Sequence, residues 1–501
     1  MSRKTTLRLL IVIALIFLVY WIIYLIGLHQ VKKTFQNIND EETHFSYQDV
    51  DLSLLRMSLI IKNPDFSKGK KMHITARFVE LSGINPIALL RNNAIKASSL
   101  DLDAPYIMMN NALSTIKSDK SNAQGGDIDI NIDNSIIKNG HFKIFHRDTT
   151  LVPLESINIE GEIKNFVLNR ETLRGQIPFG LSDFKFSLDS LQLPVDSYHK
   201  LFAHQTKLAP DMLEVKYLQI DPLLTKEKFH LVIQTERDYM NLKGALLKIK
   251  SPIVLSKQNK IGFSSEMISL DRFHFDIYRD KRLNDDTTIK PLYSEMLRKL
   301  DTHLTIDSIA VSNSTIIYTE HPDSNADPGV LEFHKIALHS GPLSNTRDAK
   351  PVHIKIHSSF MNQAPMKVEW SFKIADTTDF FNIKGSLSNV PAKSLNSFLT
   401  PVMRVKAKGA LDKLYFNFDG NSTKANGAMQ LSFKQFDVEI YDQETKKIKS
   451  LLSSIANMII GGKENKGMVK KEGITVERDP TKSFWNYFWL CIRSGLFEII
   501  V

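Results

Sequence analysis

Apolar and polar residues alternate with a period of two along most of this chain. The strictest run is Asp127 to Asp133, where Ile128, Ile130 and Ile132 take one face and Asp129, Asn131 and Asp133 the other. Phe184, Phe186 and Leu188 alternate with Lys185, Ser187 and Asp189, and Phe273, Phe275 and Ile277 alternate with His274 and Asp276. Successive side chains on a strand point to opposite faces, so each run predicts a strand with one apolar face. Ile157, Ile159 and Ile163 continue the pattern, as do runs from Val352 to Ile440 punctuated by Gly385, Gly409, Gly420 and Gly427. Asn139-Gly140, between IIK and HFKIF, predicts a hairpin turn. Helical spacing is confined to short stretches. Asn85-Pro86 opens a helix through Leu90, and Pro291 to Leu300 is amphipathic. Asp442 caps a helix carrying Ile448, Leu451, Leu452, Ile455 and Ile459, and the apolar segment Ser483 to Val501 closes the chain. Ser114 to Gly126 reads as a linker, and Lys463 to Lys471 as a basic loop.

Shifting the sequence sets Ile130–Ile144 over Leu304–Tyr318 without a gap, matching Ile132, Asp133 and Asn139 to Ile306, Asp307 and Asn313. A repeated strand-turn-strand unit follows. Strands on the order of twenty, at typical lengths, far outnumber the helices available to cover them. The sheet must therefore curl over its own apolar face or pack on another sheet. A curled open sheet leaves a trough suited to acyl chains, and closed sandwiches with dry cores account for the same alternation. The fold expected is mainly β: an elongated, curled antiparallel sheet with a few short helices and one N-terminal transmembrane helix.

That helix is Leu9 to Leu28, twenty residues without a charge and with Trp21 towards its far end. This is the length needed to cross a hydrocarbon core of roughly 30 Å. Arg3, Lys4 and Arg8 before it, against Lys32 and Lys33 after it, place residues 1–8 in the cytoplasm and the rest across the membrane. Three β segments, 30–113, 127–345 and 350–440, and C-terminal helices over 441–501 complete the organisation. The net charge of +9 on 501 residues suits anionic headgroups, and no Arg-rich helix or zinc knuckle points to nucleic acid. With Cys491 as the only cysteine, no intrachain disulfide can form.

FSYQDVDLSLLRMSLIIKNPDF, HITARFVELSGINPIALLRNNAIKASSLDLDAPYI and IIKNGHFKIFHRD, following the apolar helix, resemble the AsmA-like family of bacterial envelope proteins. Leu89-Leu90 and Pro105 stand at that family's double-leucine and strand-closing proline positions. GSLSNVPAKSLNSFLTPVMRVKAKGALDKLYFNFDGNSTKANGAMQLSFKQFDVEI is similar to its C-terminal region, with Gly385, Gly409 and Gly427 at the glycine positions, and FDIYRDKRLNDD through TIIYTE is similar to Bacteroidetes-type members. The resemblance implies a repeating β-groove related in form to chorein-type bridge proteins, set in the periplasm and tied to the inner membrane. It also implies a part in phospholipid traffic and outer-membrane biogenesis, with no catalytic motif and no cofactor.

No GxSxG, HExxH, P-loop or CxxC pattern is present. His353 and His357 share a strand face, but a zinc site needs a third ligand. Asp127, Asp129, Asn131 and Asp133 imitate a calcium loop, with Ile132 where the bend needs glycine and Lys138 where the closing Glu belongs. The last segment admits three placements: in a membrane interface, capping the groove, or as a second span. The expected function is phospholipid binding in a groove lined by Ile128, Ile130, Ile132, Phe184, Phe186, Leu188, Phe273, Phe275 and Ile277, with Leu9, Trp21 and Leu28 in the anchor. The expected partners are phospholipid, the inner membrane and other envelope proteins. The alternative is an assembly factor that receives outer-membrane β-proteins on exposed sheet edges.

Overall fold

The computed structural model describes residues 3–36, 38–88, 94–110, 129–174, 179–257, 260–323, 326–346, 349–441, 448–450 and 468–500. It is mainly β and forms two compact units, residues 1–197 with 202–210, and residues 198–201 with 211–501.

The first unit carries helix α1 (Arg3–Gln36) and strands β1 (Thr43–Ser46), β2 (Asp49–Ser53), β3 (Ser58–Lys62), β4 (Asp65–Lys68), β5 (Met72–Thr75), β6 (Phe78–Ser82), β7 (Ala94–Asp103), β8 (Tyr106–Asn110), β9 (Asp129–Phe145), β10 (Leu154–Leu168) and β11 (Asp183–Pro194). These strands make seven rungs: β1/β2, β3/β4, β5/β6, β7/β8, β9, β10 and β11. The early rungs are broken in the middle and the later ones run through. A crease crosses them where left-handed residues interrupt the pleat: Asn63, Ala104, Asn139 and Asn158 all have φ between 45° and 54°. Asparagine tolerates this region best among residues with a Cβ. Backbone pairing bridges the crease, with Asn63 N–H donating to Arg77 O at 2.9 Å, Arg77 N–H to Asp103 O at 2.9 Å and Ala104 N–H to Lys138 O at 2.8 Å. Asn139-Gly140 is thus a bulge within the continuous strand β9 and not a hairpin turn.

The second unit continues with β12 (His199–Ala209, of which residues 199–201 belong here), β13 (Met212–Pro222), helix α2 (Lys226–Val232), β14 (Asp238–Lys250), β15 (Ile253–Lys257), β16 (Lys260–Asp271), β17 (His274–Asp280), α3 (Tyr293–Arg298), β18 (His303–His321), β19 (Gly329–Ser340), β20 (Leu343–Ser344), β21 (Val352–Phe360), β22 (Ala364–Phe372), β23 (Phe381–Pro391), α4 (Ala392–Phe398), β24 (Val405–Gly420), β25 (Lys424–Tyr441), β26 (Ile448–Ser450), β27 (Val469–Glu477) and α5 (Phe484–Ile500).

The sheet of each unit is mixed, which corrects the antiparallel expectation. β7 and β8 pair parallel with β9, and β16 and β17 pair parallel with β18. The connections responsible, residues 111–128 and 281–302, exceed the dozen or so residues that a parallel crossover needs. The second contains α3; the first, including the expected linker and Ile128, lies outside the described residues. The two joints share one hydrogen-bond scheme. Ala104 N–H to Lys138 O (2.8 Å) and His141 N–H to Pro105 O (2.8 Å) in the first unit correspond to Arg272 N–H to Ser312 O (3.0 Å) and Thr315 N–H to Phe273 O (2.9 Å) in the second. Asn139 and Asn313 both take positive φ beside them.

Other expectations shift locally. Asn85 caps its short helix, its Oδ1 accepting from Ile87 and Ala88 N–H, while Leu89 and Leu90 lie outside the described residues. Ile448–Ser450, expected to be helical, is a strand on β25, and Leu451 to Ile459 are outside. Lys470 and Lys471, placed in a loop by sequence, belong to β27. Among the described residues no helix is long and apolar enough to cross a membrane. Side chains of α1 are described only from Leu18 onward. From there to Leu28 the apolar stretch is eleven residues, roughly 16 Å of helix, before the polar HQVKK follows. Leu9 to Phe17 of the expected span are therefore not among the described side chains.

Candidate functional site

Register in the first unit assembles three apolar rows, each crossing all seven rungs. One runs Val50, Ile61, Val79, Leu102, Ile137, Gly161, Phe186; beside it runs Leu52, Leu59, Leu81, Leu100, Ser135, Ile163, Phe184. Across the crease lies Phe45, Phe66, Ile74, Ile107, Phe142, Ser156, Leu191. On every rung the inward residue after the crease is five positions from the one before it, where unbroken alternation would require an even number. The bulge inserts the extra residue and so keeps one face apolar through the bend. The Phe186 ring occupies the space above Gly161, where a Cβ would come within 2.5 Å of Cε1.

These rows are half-buried, apart from Val50 and the small Ser135 and Ser156, which are buried, and Ile107, which is exposed. Among the described residues both buried apolar clusters belong to the second unit. The helix packed on the first unit's sheet is α1, on the opening rung: Gly27 faces Leu52, and Phe35 meets Phe45 and Tyr47 edge-on at 5.1 and 5.5 Å.

In the second unit a comparable row begins half-buried with Leu247, Leu270, Val311, Leu338 and Ile356 and continues as Val368, Gly385, Phe416 and Met429. Its far end is closed by α5. Phe484 stacks on Trp370 at 4.6 Å, Tyr487 meets Phe381, Phe488 meets Phe416, and Trp489 meets Phe398 of α4. Lys482, just before α5, bridges the buried Glu236 and Asp285 at 3.1 and 2.9 Å. Of the three placements open for the last segment, α5 takes the capping one, leaving Trp485 and Phe497 exposed.

The residues expected to line a groove fall into separate groups. Phe184, Phe186 and Leu188 lie together over Ile163, Gly161 and Ile159. Ile130 and Ile132 lie on β9 before Asp133, a position that the ladders on both sides skip, opposite Asn165 at φ 51°, and Ile132 is buried. They pair with Leu168 and Phe166. Phe273 is buried at the crease of the second unit, its N–H donating to Ser314 Oγ at 3.2 Å, with Phe275 packed beside it and Ile277 between Met240 and Tyr318. Sequence reading missed Val50, Ile61, Val79, Leu102 and Ile107, which lie on short strands interrupted by the crease. The signal available was the shared spacing of five that sets Val50 from Phe45, Ile61 from Phe66, Val79 from Ile74 and Leu102 from Ile107.

The polar groups near the creases serve the backbone. Asp271 accepts from Ser312 Oγ at 2.6 Å and Asn313 Nδ2 at 3.0 Å, which holds its carboxyl below the usual range. His353 and His357 are exposed on one face of β21, and no cluster of three metal-ligating side chains occurs among the described residues. No protein-family model matches the chain, and no curated protein is similar to it at a significant level.

Proposed function

We propose that this protein is a membrane-anchored envelope protein that binds phospholipid acyl chains on the open apolar face of its first unit and carries them between inner and outer membranes. The observation that carries this reading is the set of three apolar rows crossing seven rungs while remaining half-buried. Six intervals at about 4.8 Å make that face on the order of 30 Å long, against about 15 Å for one leaflet of acyl chain. Each methylene removed from water contributes about 0.8 kcal/mol, so one acyl chain laid along the rows gains on the order of 10 kcal/mol before ordering costs. The charge-free run Leu9 to Leu28 supplies the anchor, and its last turns pack on the opening rung. Lipid leaving a bilayer beside the helix would meet the rows at their start.

The test is mass spectrometry of lipids retained by the purified full chain and by Leu102→Glu, a substitution in the middle of the rows. The parent is expected to carry phospholipid and the variant to lose it with its β signal intact. A parent without lipid defeats the reading.

A further inference from the structure

We infer that the turn Leu54–Met57 and the short helix 86–88 form a second membrane contact beside α1, seating the mouth of the apolar face on the bilayer surface. The inference rests on the proposed function for its purpose, though not for its geometry.

Helix α1 runs antiparallel to the opening rung. Gly27 lies against Leu52 near the end of β2, and Phe35 lies against Phe45 in β1. The helix N-terminal to Gly27 therefore leaves the sheet past Ser53, at the end where the turn Leu54–Met57 stands. There it exposes Leu18, Val19, Trp21, Ile22, Leu25 and Ile26. Ile84 N–H donates to Met57 O at 2.9 Å, which sets the next loop of the same edge alongside this turn.

Both loops end in large apolar side chains turned to solvent. Leu55 is 85% exposed and Ile87 65%, with Met57, held at φ 47°, exposed between them. Single exposed apolar residues are ordinary, but here they gather with an apolar helix at one end of one sheet. Arg56, also exposed, provides a cation between the apolar tips, where a headgroup phosphate would lie. The partner that fits an apolar tip, a flanking cation and an adjoining apolar helix is the interface of an anionic bilayer. Leu52, Leu59 and Leu81 of the apolar rows lie on the strands that enter and leave these loops. A lipid rising at this contact would therefore meet the apolar rows at Leu52, Leu59 and Leu81.

The test uses the full-length protein in vesicles of phosphatidylethanolamine and phosphatidylglycerol. An environment-sensitive fluorophore is attached at Leu55→Cys, Ile87→Cys or, as control, Lys185→Cys on the polar face; buried Cys491 stays unlabelled. Probes at 55 and 87 are expected to shift to the blue and to be quenched by lipids brominated on their tails, and the probe at 185 to be quenched only by aqueous iodide. Iodide quenching of 55 and 87 equal to that of 185 overturns the inference. In a second measurement the Leu55→Glu/Ile87→Glu protein, altered only at exposed positions, should load lipid from vesicles several-fold more slowly while retaining the parent's amount once loaded. An unchanged loading rate also overturns it. If the parent takes up no lipid at all, the proposed function falls, and the fluorophore result still decides the contact.

Discussion

Replacing phenylalanine by glutamate at two positions distinguishes an open apolar face from a closed core. Phe418 is fully buried, flanked by Ile383 and Gly427, with its ring where a Gly427 Cβ would come within 2.2 Å of Cδ1. Truncating such a residue costs about 3–5 kcal/mol, and an unpaired carboxylate in the same place adds several more. That total matches the whole stability of a typical domain, about 5–15 kcal/mol, so Phe418→Glu should unfold the closed end of the second unit. Phe186 is half-buried on the open rows. The loss there is about half of a full Phe burial, roughly 1–1.5 kcal/mol, and the new carboxylate keeps its water. The readout is favourable, because Trp370, Trp485 and Trp489 belong to the α5 closure, and of the four tryptophans only Trp21 lies elsewhere. Cys491, the single thiol, is buried on α5 and pushed by that burial up to about 12, so under native conditions near pH 8 it should resist alkylation. Urea unfolding followed by tryptophan fluorescence should show the parent transition for Phe186→Glu and none for Phe418→Glu, with Cys491 alkylated rapidly only in the latter. Phe186→Glu should at the same time abolish lipid retention. Loss of far-ultraviolet β signal in Phe186→Glu comparable to that in Phe418→Glu would refute the open-face argument.

Gly427→Ala should destabilise by about 2 kcal/mol or more in urea titration, because its Cβ meets Phe418 and, at 2.4 Å, the Asn417 carbonyl oxygen, which cannot swing away. Gly161→Ala meets the Phe186 ring, free to move on the open face, and should cost under about 1 kcal/mol. His230 is lowered from 6.5 chiefly by burial, partly offset by the Asp280 carboxylate at 3.2 Å. The unfolded chain then binds that proton first, so stability is complete above about pH 6.5 and is lost as pH falls through the folded value. His230→Gln should flatten this acid-side fall in the urea midpoint, and an unchanged fall would locate it in another group.

Alternation was sufficient to place most strands, including Phe184 to Leu188 and the runs from Val352 onward, because one face of each had to leave water. It could not show that the face continues through a bulge. Asn139-Gly140 carries the residue chemistry of a hairpin, and only pairing with the rungs on both sides turns it into a crease. Strand direction was equally hidden, since a long polar connection such as residues 111–128 reads alike as a linker or as a parallel crossover. Ile448 to Ser450 shows tertiary pairing overriding helical spacing, as the edge of β25 offers hydrogen bonds that an isolated helix start does not. The match of residues 130–144 to 304–318, slight in identities, coincides with the shared backbone scheme at the two joints, which depends on main-chain groups that side-chain comparison does not register.

The order of the rungs in the first unit's sheet is also their order in the chain, and this bears on how that sheet is made. Each new rung closes on the one synthesised just before it, so pairing can advance by short steps, as in a repeat protein, with little chain entropy lost at each. The parallel joint at β9 interrupts that progress, because the chain must first travel back along a whole rung before it can pair, and long-range closures of this kind are slow. A chain leaving the ribosome from its N-terminus therefore builds the opening four rungs quickly, halts at residues 111–128, and then resumes. The α5 closure of the second unit is made after these rungs, so the apolar rows of the first unit exist as an uncovered surface well before the capped end does.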